Sequence, residues 1–140
     1  VEAQKVMDGA RVLMWQKLVR EVVIAPHVKD YVVRITLATH PGGEYATDKV
    51  GRYVRYGASP RGDQSLALAA KIRAQLDGRY NVAFEDVTAV AKPALRHRMI
   101  LNFEGEAEGV TTDSVIEEVI EKVPHQAEDI EKVLSAKEGK

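Results

Sequence analysis

Within the stretch GRYVRYGASPRGDQSLAL, residues 51–68, one side chain stands out as equipped for chemistry. Ser59 suits a helix N-cap, where a hydroxyl accepts from an orphan backbone N–H, and Pro60 suits the first helical position, where its missing donor costs nothing. Arg61 then falls in the first turn, at the positive end of the helix dipole, where a cation is electrostatically misplaced unless an anion meets it. A guanidinium converging with free helix N–H groups is a phosphate-binding combination. On the residues alone, the competing reading is an ion pair between Arg61 and a nearby carboxylate, Asp63 or Asp86.

Other chemistry is thinly represented. His27, His40, His97 and His125 lie in separate segments without HExxH-like spacing, so no metal site is expected. Glu117-Glu118 and Glu128-Asp129 read as solvated helix faces before they read as catalytic carboxylate pairs. There is no cysteine, which excludes a thiol nucleophile and a disulfide framework. No GxxxxGK[ST] occurs, so these residues by themselves cannot cradle and cleave a nucleoside triphosphate. Arg52/Arg55/Arg61 and Lys92/Arg96/Arg98 are the basic sets a nucleic acid would use. With 20 basic against 21 acidic residues, however, the net charge of −1 supplies no bulk attraction to nucleic acid or membrane.

The elements that must position Arg61 follow from periodicity. The 140 residues, 45% hydrophobic, suit one domain with a real core. Asp8 to Arg20 carries Val12, Trp15, Leu18 and Val19 at three-and-four spacing, continued by Val22, and leads into an extended Val22-Val23-Ile24-Ala25. Pro26 opens a second helix with Val28, Tyr31, Val32, Ile35 and Ala38 on one face, stopped at Pro41-Gly42-Gly43. A polar loop runs to about Gly51. The third helix, Pro60 to Leu76, presents Leu66, Ala69, Ile72 and Leu76, and its alanines place it centrally.

Asp77-Gly78 ends that helix, and 80–82 is expected to pair with 54–56 as a small two-strand patch. A fourth helix begins at Phe84-Glu85-Asp86-Val87, with Val87, Val90, Ala91 and Leu95 inward and a kink or restart at Pro93. After an acidic loop, Thr112 caps a fifth helix carrying Val115, Ile116, Val119 and Ile120 that ends at Pro124. Residues 125–140 read as a helical tail. The expected fold is all-α, a bundle of five to six helices over 1–124. No run approaches the roughly 20 apolar residues of a membrane span. With no signal-peptide pattern and Val1 in first place, the sequence reads as a cytoplasmic piece of a longer protein.

A combination of motifs goes further. Gly57-Ala58-Ser59-Pro60-Arg61, an Ala/Leu-rich helix, Asp77-Gly78-Arg79, Val82, Glu85-Asp86-Val87 and Leu95-Arg96-His97-Arg98 together resemble the C-terminal lid of MoxR-type AAA+ ATPases and their magnesium-chelatase-like relatives. The likeness extends upstream through Val28, Tyr31, Val32 and Ala38-Thr39, and downstream through Glu106-Ala107-Glu108-Gly109 to Val123-Pro124. The resemblance implies that Arg61 is the sensor-2 arginine, reaching from the lid to ATP held with Mg²⁺ in a separate core domain. It also implies that Gly57, Ala58 and Pro60 shape the approach of that loop, and that Tyr31 or Val32 touches the base. A ring of subunits, chaperone-like remodelling of protein complexes, and a von Willebrand factor A-domain partner belong to the same implication.

The sequence departs from the family at His40, where many relatives carry arginine, and at the polar Gly62-Asp63-Gln64, where Asp63 can compete for Arg61. No cofactor and no ATPase activity are expected of this chain alone. Two readings from other classes remain beside the lid. One is a stand-alone helical interaction module; the other is a nucleic-acid binder using Arg52, Arg55, Arg96 and Arg98.

Overall fold

The structure, a computed structural model, describes residues 4–125. These form seven helices and one two-stranded antiparallel sheet, so the all-α expectation holds, with two short helices beyond those anticipated. The tail after His125 lies outside the described residues.

Helix α1 (Gly9–Glu21) starts where Asp8 accepts from the Arg11 backbone N–H at 2.8 Å. Its extended exit makes a parallel bridge between Val23 and Asn81, with Val23 N–H donating to Tyr80 and Val82 N–H donating to Val23, both at 2.9 Å. That bridge takes up the 80–82 segment, which therefore does not pair with 54–56. Strand β1 (Val54–Tyr56) pairs instead with β2 (Ile100–Leu101), Val54 opposite Leu101. Strands of two or three residues carry no usable alternation, so their partners are set by the helices that deliver them.

Helix α2 (Pro26–Ala38) begins at Pro26 and buries Val28, Tyr31, Val32, Ile35, Thr36 and Ala38. The supposed loop before Gly51 contains α3 (Asp48–Tyr53), capped by Thr47. The acidic loop after β2 contains α6 (Phe103–Ala107), capped by Asn102, which accepts from Gly105 at 2.9 Å. Arg52 reaches from α3 to Glu104 and Glu108, at 2.7 and 2.8 Å, and Tyr53 also bonds Glu108, so polar contacts on the surface join these two short helices.

Helix α4 (Pro60–Leu76) buries Gly62, Leu66, Ala70 and Ala74, a line at i, i+4 spacing, against α5 (Phe84–Leu95), which buries Val87, Ala91 and Leu95. A side chain at Gly62 would meet Ala58 Cβ at 3.2 Å and Leu95 Cδ2 at 3.3 Å, so small residues permit this approach. The larger Ile72 and Leu76, expected inside, are exposed together with Leu68. Helix α5 runs through Pro93 without a restart and leads into a 3₁₀ turn, Arg96–Arg98. Helix α7 (Thr112–Lys122) is capped by Thr111 rather than Thr112, the Thr111 hydroxyl accepting from Ser114 at 3.1 Å; it contributes Val115, Ile116 and Val119 to the core. No helix among the described residues is long and apolar enough to cross a membrane.

Candidate functional site: the loop that presents Arg61

Between β1 and α4 the chain passes against the C-terminal end of α2. A Cβ on Gly57 would sit 2.6 Å from the Thr39 carbonyl oxygen, a separation no side chain tolerates, so only glycine fits here. Ala58, fully buried, is held at both backbone groups. Its N–H donates to Thr39 Oγ1 at 2.9 Å, and the Thr39 hydroxyl donates in turn to the Thr36 carbonyl at 2.6 Å. Its carbonyl accepts from His40 Nε2 at 2.8 Å. A carbonyl only accepts, so this bond requires the proton on Nε2. Two consecutive residues at the end of α2 thus clamp the loop that precedes α4.

Ser59 occupies the N-cap position of α4, but its hydroxyl makes no capping bond, in contrast to the role its type suggests. The Gly62 N–H turns back to the Ser59 carbonyl at 2.6 Å. Arg61 is exposed and has no ion pair or side-chain hydrogen bond among the described residues. Neither proposed competitor engages it. Asp63 turns one carboxylate oxygen into the protein, where it is buried without a hydrogen-bond partner, and Asp86 is committed to Arg79 at 2.5 and 2.7 Å. Beside this turn, Arg98 donates through Nε to Ala94 O at 3.1 Å and through a terminal nitrogen to Ser65 Oγ at 2.9 Å, bracing α4 against the end of α5.

The other residues tied to a nucleotide by resemblance lie apart from this loop. Tyr31 and Val32 are core residues, 0% and 2% exposed, seven to eight positions, or ~11–12 Å of helix, before Thr39. Tyr31 meets Phe84 edge-on at 5.3 Å and His125 at 4.7 Å; burial pushes its hydroxyl up to about 12, with nearby Arg34 acting the other way. Neither offers a face to a base, so the described structure brings together Gly57, Ala58, Pro60 and Arg61 and leaves these two out. Nothing in the sequence marks Thr39, His40 or Arg98 as anchors of this loop: Thr39 stands there as a matching position, His40 as a departure and an isolated histidine, and Arg98 as a matching position and one of the basic residues grouped for nucleic acid. Their positioning roles arise from contacts across 18 to 33 residues, which local spacing does not encode.

The basic residues grouped for nucleic acid are mostly engaged with the protein itself. Arg52 pairs with Glu104 and Glu108, Lys92 with Glu117 and Arg96 with Asp113 at 3.0 Å, while Arg55 lies over the Tyr56 ring. Among the described residues no group of three or more His, Cys, Asp or Glu is arranged to hold a metal ion. The site therefore offers a guanidinium without a partner among the described residues and a helix start without a side-chain cap, on a clamped loop of the helical bundle.

This fold is that of an AAA lid domain: the family matches residues 48–119, and the chain belongs to it. Within that family it is a lid of the MoxR type. The chaperone MoxR1 of Mycobacterium tuberculosis is 28% identical over 96% of this chain and 38% of its own length. The MoxR protein of Methylorubrum extorquens is 32% identical over 85% of this chain and 36% of its own. A crystal structure of a Cytophaga hutchinsonii protein proposed to be an ATPase superposes with a TM-score of 0.81 at 36% identity, covering 86% of this chain and 37% of that one. The chain spans little more than a third of the length of these proteins.

Proposed function

We propose that this chain is the C-terminal lid of a MoxR-type ATPase in which Arg61 is the sensor-2 residue, directed at the phosphates of ATP bound by a separate core domain. The observation that carries the reading is Arg61 itself: exposed, without an ion pair among the described residues, and in the first turn of α4, after a loop whose Ala58 is held by Thr39 and His40. An unpaired cation beside uncapped helix N–H groups suits the oxygens of a phosphate. In that setting the guanidinium stabilises charge spreading over the transferring phosphoryl oxygens, and it reports the state of the nucleotide to the lid. Gly57 and Ala58 fix the path of the loop, and Pro60 sets the backbone from which Arg61 projects.

In this proposal Mg²⁺ and the remaining phosphate ligands belong to the core domain. The whole protein assembles as a ring in the cytoplasm, couples hydrolysis to chaperone-like remodelling of protein complexes, and works with a von Willebrand factor A-domain partner. Support for the chaperone role comes from the name of the Mycobacterium relative.

The test is Arg61→Ala in the whole protein. ATPase turnover is expected to fall by roughly 10²-fold, the scale of removing one preorganised donor, while the circular dichroism spectrum and melting temperature stay as in the parent. Turnover equal to the parent's would remove Arg61 from the mechanism.

A further inference from the structure

Helix α1 buries none of its residues, although Val12, Trp15 and Val19 share one side of it at helical spacing. That side faces α4, whose Leu68, Ile72 and Leu76 form a second ridge at i, i+4, i+8. The two ridges enclose an open groove of about 830 Å³. Its floor stays wet: Trp15 is 39% exposed, Leu68 47% and Leu76 78%. Ridges of this spacing run ~12 Å, or about two turns, along α4.

Charge decides between occupants. Arg11 and Arg20 line the groove, and no acidic residue does; neither guanidinium has an ion pair or hydrogen bond among the described residues. Helix α1 as a whole carries Arg11, Lys17 and Arg20 against Glu21 alone, on a chain whose net charge is −1. Two copies meeting groove to groove would bring arginine rims together, which opposes self-association. An apolar floor with a cationic rim calls for a helix with an apolar stripe and carboxylates beside it. We propose that the α1–α4 groove is a docking site for an acidic amphipathic helix of a partner protein. Its apolar stripe lies between Trp15 and Ile72, and its carboxylates meet Arg11 and Arg20. The site is separate from the Arg61 loop and does not depend on nucleotide.

Trp15 is the single tryptophan of the sequence, so the groove carries its own reporter. The 140-residue chain is titrated with a synthetic amphipathic peptide bearing leucines at i, i+3, i+4, i+7 spacing flanked by glutamates, and with its twin bearing lysines for glutamates. The glutamate peptide is expected to saturate and to shift Trp15 emission to shorter wavelength, binding about ten-fold tighter than the lysine twin. Ile72→Glu is expected to weaken the glutamate peptide about ten-fold with helix content unchanged, since truncating or charging a central apolar contact has effects of this order. Arg11→Glu with Arg20→Glu is expected to reverse the order of the two peptides. Equal affinity for the twins, or indifference to Ile72→Glu, would overturn the proposal. No response from Trp15, or an emission that moves with chain concentration before any peptide is added, would also overturn it; the second would point to another copy as the occupant.

Discussion

Arg61 and Thr39 belong to the two sides of one clamped loop, yet their substitution should affect stability differently. The Arg61 side chain is exposed and makes no hydrogen bond or ion pair among the described residues, so its loss removes no polar contact from the bundle. Thr39 is fully buried, and its hydroxyl is the acceptor for the Ala58 N–H. Thr39→Val keeps the shape of the side chain but leaves that N–H buried without a partner, a loss of about 1–3 kcal/mol. Chemical denaturation of the chain is expected to show this destabilisation for Thr39→Val and none for Arg61→Ala. In the whole protein both substitutions should lower ATPase turnover, Thr39→Val because a loosened loop no longer fixes where Arg61 projects. If Thr39→Val lost stability but kept full turnover, the clamp would be a folding feature with no bearing on nucleotide. Gly57 tolerates substitution still less, because the nearest atoms that an added Cβ would strike are the Thr39 carbonyl oxygen and carbon, at 2.6 and 2.8 Å.

Among the elements, the start of α5 depends on one buried carboxylate. Asp86, 2% exposed, accepts two bonds from Arg79 and one from the Ala83 N–H at 2.8 Å, joining the turn after α4 to the first turn of α5. The Arg79 hydrogen bonds hold its carboxyl below the usual carboxylate value; burial opposes the shift and the Ala83 N–H adds to it. A depressed folded pKa stabilises the fold above the unfolded value, near 3.8, and the stabilisation is lost as pH falls through the folded value. Asp86→Asn is therefore expected to cost about 1–2 kcal/mol at neutral pH, the order for weakening a charged hydrogen bond whose other partner, Arg79, is a third exposed and can turn to water. The gap from the parent should narrow as unfolding is measured progressively below pH 4. A gap independent of pH would mean that the carboxylate's charge is not what matters.

The same scale explains what was legible beforehand. Pro26 and Pro60 mark the starts of α2 and α4 because proline at a first helical position has a local cause. Helices α3 and α6 escaped because five or six residues are too few to show a period. The exposed side of α4 differs from expectation because size is no guide to burial here: along the close approach to α5, Gly62, Leu66, Ala70 and Ala74 fill the contact, and Ile72 and Leu76 turn outward. The exposed position of Arg61 in the first turn of α4 was legible from Ser59 and Pro60 before it. Its anchors were not, because Thr39 and His40 reach the loop through the tertiary fold.

For the whole molecule, the clamp would give the proposed phosphate contact of Arg61 a mechanical meaning. Its loop is bonded to α2, and its helix packs along α5, so the backbone that carries Arg61 cannot move far unless the bundle moves with it. If Arg61 contacts the nucleotide as proposed, a shift of the phosphates would displace the lid as a body, and a displacement of the lid would move the guanidinium. That coupling needs a second body carrying the other phosphate ligands, and no P-loop occurs in these 140 residues. The chain alone, given Mg²⁺ and ATP, is accordingly expected to release no phosphate. Its melting temperature is also expected not to move, because a ligand stabilises only in proportion to its affinity for the folded state and one exposed cation confers little. Phosphate release assays and thermal melts with and without nucleotide check both expectations. Turnover by the chain alone that disappears in Arg61→Ala would place the complete catalytic site within this bundle and remove the need for a core domain. Inactivity of the chain, with turnover restored in the whole protein and lost again on Arg61→Ala, is the pattern expected of a lid that contributes one charge to a site built elsewhere.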